Sequence, residues 1–110
     1  MTMWRIMSLP EVVNDVRKLD KEQERRVQKA ILRVAQNPLP ASQGGYGKPL
    51  GNKGGSALAG LQKIKMRGEG LRVVYKAVEQ DGVMLIVVVG VRADDDVYKE
   101  AAKRKEKYGL

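Results

Sequence analysis

The 110-residue chain contains no cysteine and no histidine. Without cysteine there is no disulfide, no thiolate nucleophile and no sulfur ligand for a metal. Without histidine, the commonest general acid/base and the commonest zinc ligand are both missing. Acid–base chemistry must then fall to Lys, Tyr, Asp or Glu, with Arg able to stabilise charge but not to give up its proton. No apolar run reaches the ~18 residues of a membrane span. The first residues lack a charged leader followed by an apolar core, so a cytoplasmic protein with no membrane contact is expected.

What the chain has instead is positive charge. Lys and Arg number 21 against 13 Asp and Glu, a net charge of +8 and a pI of about 9.9. A polyanionic partner follows, with nucleic acid the natural one. An apolar share of 43% and a charged share of 31% suit one soluble folded domain over residues 1–110, large enough to bury about two-thirds of its unfolded surface.

Taken in order, Met3 to Met7 reads as a first strand. Ser8-Leu9-Pro10-Glu11 has the form of a helix start, with Ser as cap, Pro in the first turn and Glu three residues on. Val12, Val13, Val16 and Leu19 then share one helical face. Asp20 to Gln23 is a second capping box, and Val27, Ala30, Ile31 and Val34 give the stripe of a second amphipathic helix, ended by Asn37-Pro38. The pair predicts a helical hairpin on one face of a sheet. The cations of the second helix (Lys21, Arg25, Arg26, Lys29, Arg33) read as a solvated face. Residues 41–60 hold seven of the twelve glycines. This stretch lacks the GxxxxGK[ST] phosphate-binding pattern and reads as a mobile flap carrying Lys48 and Lys53, with a short edge strand near Tyr46 to Leu50.

Leu61 to Tyr98 organises the rest. In LQKIKMRGEGLRVVYKA, Lys63, Lys65 and Arg67 fall on one strand face and Ile64 and Met66 on the other. A two-residue turn at Gly68-Glu69 pairs Met66 with Leu71 and Lys65 with Arg72. A slip of one residue would mix apolar and cationic faces, so the register is well specified. Like charges directly opposite cost roughly 0.2–1 kcal/mol per pair, and a sequence that accepts this keeps an anion nearby. Tyr75 lies on the apolar parity and reads as core. Asp81-Gly82 marks the next turn. Val83 to Val89 is a continuous apolar run, and so a central strand covered on both faces. Asp94 to Asp96 then open a last helix that ends in lysines, as its dipole favours. The expected architecture is α+β in the order β-α-α-β-β-β-β-α: an antiparallel sheet packed by an N-terminal helical hairpin, with a C-terminal helix.

From about Lys63 to Arg104, the runs KIKMRGEGLRVVYKA and VVVGVRADDDVYKEAAKR resemble the RelE branch of the RelE/ParE superfamily of bacterial toxins. The first 40 residues agree only in pattern. The resemblance implies a toxin of a type II toxin–antitoxin system that cleaves messenger RNA on the ribosome. It places the family's active residues on Lys63 and Lys65 of KIK, Arg72 of LRVVY, Arg92 of GVR and Tyr98 of DVY. Two departures stand out: the Gly-rich insert, and Val91 where RelE has lysine. The implied partners are a cognate antitoxin protein, the ribosomal A site and messenger RNA, with no metal and no cofactor.

Attack of a ribose 2′-hydroxyl on its own phosphate needs a base, stabilisation of the phosphorane and help for the departing 5′-oxygen. Like charges disfavour a protonated amine, which suits Lys65, beside Lys63 and Arg72, to act as the base. Tyr98 would orient the hydroxyl or stack on a base. Arg72 and Lys63 would hold the scissile phosphate, and Arg92 would neutralise developing charge. Lys48, Lys53 and Arg67 extend the cationic set toward the rest of the RNA. Taken singly, each residue has a plainer reading: Tyr98 packing against the sheet, and exposed strand lysines at 63 and 65. Two other functions compete. One is inhibition of DNA gyrase without nuclease activity, as in the ParE branch; the other is a module that only grips RNA.

Overall fold

The structure, a computed structural model, describes residues 3–50, 55–66, 68, 70–91 and 94–110. Arg67, Arg92 and Lys53, three of the expected RNA contacts, lie outside them. The strands are β1 (Arg5–Ser8), β2 (Lys48–Pro49), β3 (Leu61–Lys65), β4 (Arg72–Val78) and β5 (Val83–Gly90). The α-helices are α1 (Glu11–Arg17), α2 (Lys21–Val34) and α3 (Asp94–Tyr108). Their order along the chain is the expected one.

The sheet runs β1-β5-β4-β3-β2. Three of its four pairings are antiparallel, but β1 lies parallel to β5, with Arg5 opposite Val83 and Ser8 opposite Ile86. The sheet is therefore mixed rather than purely antiparallel. The parallel pair is possible because α1 and α2 supply a long crossover. β5 takes the interior place that its unbroken apolar run requires, with Val83, Met84 and Ile86 to Val89 all buried.

The helix starts divide. Asp20 accepts from the Gln23 N–H at 2.8 Å and Gln23 returns a bond to the Asp20 N–H at 3.1 Å, the full capping box, worth about 1 kcal/mol. The box expected at Ser8 does not form. Ser8 is the last residue of β1, Pro10 takes the cap position without a side-chain bond, and the Leu9 N–H continues the ladder to the Ile86 carbonyl at 3.0 Å. Strand pairing has claimed the residues that would have capped the helix. Val12 and Leu19 are buried as expected, but Val13 is exposed. A seven-residue helix turns only one narrow stripe inward.

The first half of the Gly-rich stretch is not a free flap. The Tyr46 N–H donates to the Asn37 carbonyl and the Gly47 N–H to the Leu39 carbonyl, both at 2.9 Å; the Ala41 N–H donates to the Gly47 carbonyl at 3.0 Å. A Cβ at Gly47 would lie 2.8 Å from both Gln62 Oε1 and the Tyr75 hydroxyl. Composition suggested mobility; the glycines instead allow close backbone packing. Leu50 is fully buried at its end, and Lys48 sits in β2 rather than on a loop.

Where β1 stops, a side-chain pair completes the edge of β5. Asp15 of α1 accepts from the Val89 N–H at 3.0 Å, and Arg104 of α3 donates to the Val87 carbonyl at 2.8 Å. Arg104 also donates to the two Asp15 oxygens at 2.7 and 3.0 Å and to Glu100 at 2.8 Å. Both members of the Asp15–Arg104 pair are about nine-tenths buried. Burial works against the Arg104 charge, but the bonds to Asp15 and Glu100 outweigh it and its pKa rises. One buried ion pair thus pins both helices to the central strand.

Candidate active site

The hairpin of β3 and β4 has the register its face pattern predicted. Lys65 lies directly opposite Arg72, Ile64 opposite Val73 and Lys63 opposite Val74, and the Met66 N–H reaches the Leu71 carbonyl at 3.0 Å. Lys48 of β2 is opposite Lys63. Antiparallel partners share a face, so Lys48, Lys63, Lys65 and Arg72 all rise from one side of the sheet. Lys48 and Lys65 are exposed, Lys63 and Arg72 half-buried. Arg72 Nη1 donates to the Leu71 carbonyl at 3.0 Å, which folds its guanidinium back along its own strand.

A bulge sets what lies beside Arg72. Tyr75 pairs with Ile86, but Val74 pairs with Val88, so β5 carries one extra residue between them. Continuing the first register would place Val89 opposite Arg72; the bulge brings Gly90 there instead. Bulges re-aim side chains in this way. A Cβ at Gly90 would lie 2.8 Å from Val97 Cγ2. Glycine at this place therefore lets Val97 of α3 settle directly over β5, next to Arg72. Tyr75 points to the opposite face, where its hydroxyl donates to the Pro38 carbonyl at 2.8 Å. Burial pushes that hydroxyl's pKa up, and Tyr75 is core, as its parity predicted.

Tyr98 follows Val97 on α3 and is 6% exposed, inside the hydrophobic core. The structure thus brings together Lys63, Lys65 and Arg72, with Lys48 beside them, and buries Tyr98, near the start of α3, in the core rather than on the open face. Arg26 and Arg33 of α2, read from the sequence as part of a solvated face, border the same basic surface: they share a groove with Lys48, Lys63 and Lys65. Their spacing of seven, with small Ala30 between them, was the available signal. Among the described residues, no group of three or more acidic side chains gathers where a metal ion could be held. No helix among them is long and apolar enough to cross a membrane.

Comparison with known proteins agrees with this geometry. No family model matches the chain. It is 30% identical over 88 residues to the mRNA interferase toxin RelE of Escherichia coli K12, covering 80% of this chain and 82% of that protein. It is 28% identical over 98 residues to a putative RelE-like toxin protein of Escherichia coli, covering 86% and 88%. Among solved structures, the free E. coli RelE toxin, in a mutant form, superposes with a TM-score of 0.73 at 23% identity over 94% of this chain and 98% of that one. The toxin in the intact E. coli RelBE toxin–antitoxin complex superposes with a TM-score of 0.61 at 21% identity, over 81% and 96%. Sequence likeness over most of both chains and the shared fold lead to one conclusion: this protein belongs to the RelE family of toxins.

Proposed function

We propose that this chain is the toxin of a type II toxin–antitoxin pair and that it cleaves messenger RNA on the ribosome, using the RNA's own 2′-hydroxyl as nucleophile. The observation that carries the reading is the row Lys63, Lys65 and Arg72 on one sheet face, with Lys65 and Arg72 paired directly in a chain without histidine. Fixed cations within one or two residues of each other offer a phosphodiester what imidazoles or metal ions offer elsewhere: a proton acceptor and charge stabilisation of the phosphorane.

In this proposal Lys65, exposed at the end of β3 and directly opposite Arg72, takes the proton from the 2′-hydroxyl. Lys63 and Arg72 hold the non-bridging oxygens. Arg92 neutralises charge on the departing 5′-oxygen, a role assigned on the family resemblance. Tyr98, buried with its hydroxyl, contacts RNA only if the start of α3 shifts, so its contribution begins with a movement over Gly90. Lys48, Lys53 and Arg67 hold the flanking backbone. The ribosome supplies the rest of the geometry, and a cognate antitoxin covers the basic face until the toxin is released. A basic surface of this kind suits an acidic or amphipathic segment that folds on binding.

The test is induction of the chain in bacterial cells, with mapping of messenger 5′ ends and a parallel assay of gyrase supercoiling. Cuts phased with codons in translated messages are expected. DNA damage without such cuts would favour the gyrase-inhibiting activity of the ParE branch instead.

A further inference from the structure

The groove between α2 and the outer edge of β3 holds more cations than the cleavage chemistry uses. Arg26 and Arg33 line it from α2, Lys48 from β2, and Lys63 and Lys65 from β3; no acid is among the described residues that line it. Its volume of about 460 Å³ falls within the range of sites that take a small ligand. At its border stands Tyr46, 53% exposed, with the Arg33 guanidinium 5.9 Å from the ring centroid, inside cation–π range.

The loop that presents this ring is tightly held. The Tyr46 N–H donates to the Asn37 carbonyl. A Cβ at Gly45 would lie 2.0 Å from the Leu39 carbonyl oxygen, so glycine before the tyrosine is required by close packing, as it is after it at Gly47. The backbone that carries the ring is thus held in place, with Arg33 over the ring and cations along its border.

We propose that Tyr46, backed by Arg33, is a stacking platform for one unpaired RNA base, and that Arg26 and Lys48 grip the adjoining phosphate. The groove then holds a nucleotide flanking the one cleaved at Lys63, Lys65 and Arg72. This rests on the messenger-cleaving reading above and adds a second contact point for the same strand. An aromatic ring beside a cationic groove is what single-stranded nucleic acid needs, because each base has a π-face whatever its identity. Duplex RNA keeps its bases stacked on one another and would not offer one.

The test is anisotropy titration of the full chain with a labelled single-stranded 2′-O-methyl oligoribonucleotide, which cannot be cut, over a range of salt. Tyr46→Ala is expected to weaken binding roughly five- to hundred-fold without changing the salt slope. Tyr46→Trp retains affinity, and Arg26→Ala flattens the slope by about 0.7. An affinity for Tyr46→Ala within two-fold of wild type overturns the proposal, and so does equal weakening by Tyr46→Ala and Tyr46→Trp. Messenger cleavage on ribosomes, read on the same variants, separates the two claims. Cleavage by wild type with no Tyr46 dependence of binding removes the platform and leaves the function. Tyr46-dependent binding without cleavage by wild type removes the function and leaves the platform.

Discussion

Replacing Asp15 with alanine tests how α1 and α3 are fastened to β5. The Asp15 carboxylate accepts three bonds, from the Val89 N–H at 3.0 Å and from Arg104 at 2.7 and 3.0 Å. Removing it strands a nine-tenths-buried guanidinium and a backbone donor at the edge of the central strand. Breaking one side of a buried ion pair costs about 3–5 kcal/mol. The lower end applies here because Glu100 still accepts from Arg104 Nε at 2.8 Å. A loss of about 3 kcal/mol corresponds to a fall in melting temperature of roughly 12 °C for a domain of this size. Thermal and denaturant unfolding of Asp15→Ala measure it. The double change Asp15→Leu with Arg104→Met removes the stranded charge and should recover part of the loss, the remainder being the Val89 N–H and Val87 carbonyl bonds that neither new side chain can make. A single-variant loss below about 1 kcal/mol would refute the view that this pair completes β5 and fastens α1 and α3 to it.

Gly47→Ala should destabilise by about 1–3 kcal/mol, because the new methyl meets Gln62 Oε1 and the Tyr75 hydroxyl at 2.8 Å; a melting curve reads it. Glu11 sets an acid limb. Hydrogen bonds from Lys107, from its own backbone and from Tyr108 lower its pKa from 4.5 to about 2. A depressed carboxylate pKa stabilises the fold above the unfolded value and loses that contribution as pH falls through the folded one. The stability gap between wild type and Glu11→Gln should therefore be full above pH 4.5 and close toward pH 2, as followed by denaturant midpoints. Tyr98 separates packing from chemistry. Tyr98→Phe keeps the ring and should leave the melting temperature within a few degrees while slowing messenger cleavage, whereas Tyr98→Ala opens a cavity worth about 3–5 kcal/mol.

The sequence was most legible where a face pattern left no second solution. The alternation of Lys63 and Lys65 with Ile64 and Met66 allowed one register against β4, and Lys65 lies opposite Arg72 as that register requires. Asp20 and Gln23 formed their cap because both sides of the motif are local. Ser8 did not, because a long-range partner, Ile86, competed for the same backbone. The parallel placement of β1 and the bulge that brings Gly90 opposite Arg72 depend on contacts between distant segments and leave no periodic trace. Gly45 and Gly47 misled in a different way: their composition is that of a flexible loop, while their function is close approach to Leu39, Gln62 and Tyr75. Arg26 and Arg33 looked like a solvated helix face because nothing local reveals that β3 lies across from them. The recognition of Lys63, Lys65 and Arg72 as a set needed both the parity of the strands and the likeness to RelE.

Single-turnover cleavage of a messenger on purified ribosomes, comparing wild type with Lys65→Ala, puts the central claim at most direct risk. Loss of a positioned general base should slow cleavage about 10²–10⁴-fold, with folding intact because Lys65 is exposed at the end of β3. A Lys65→Ala protein that cuts within about three-fold of wild type would contradict the assignment of the proton-accepting role to this row of lysines.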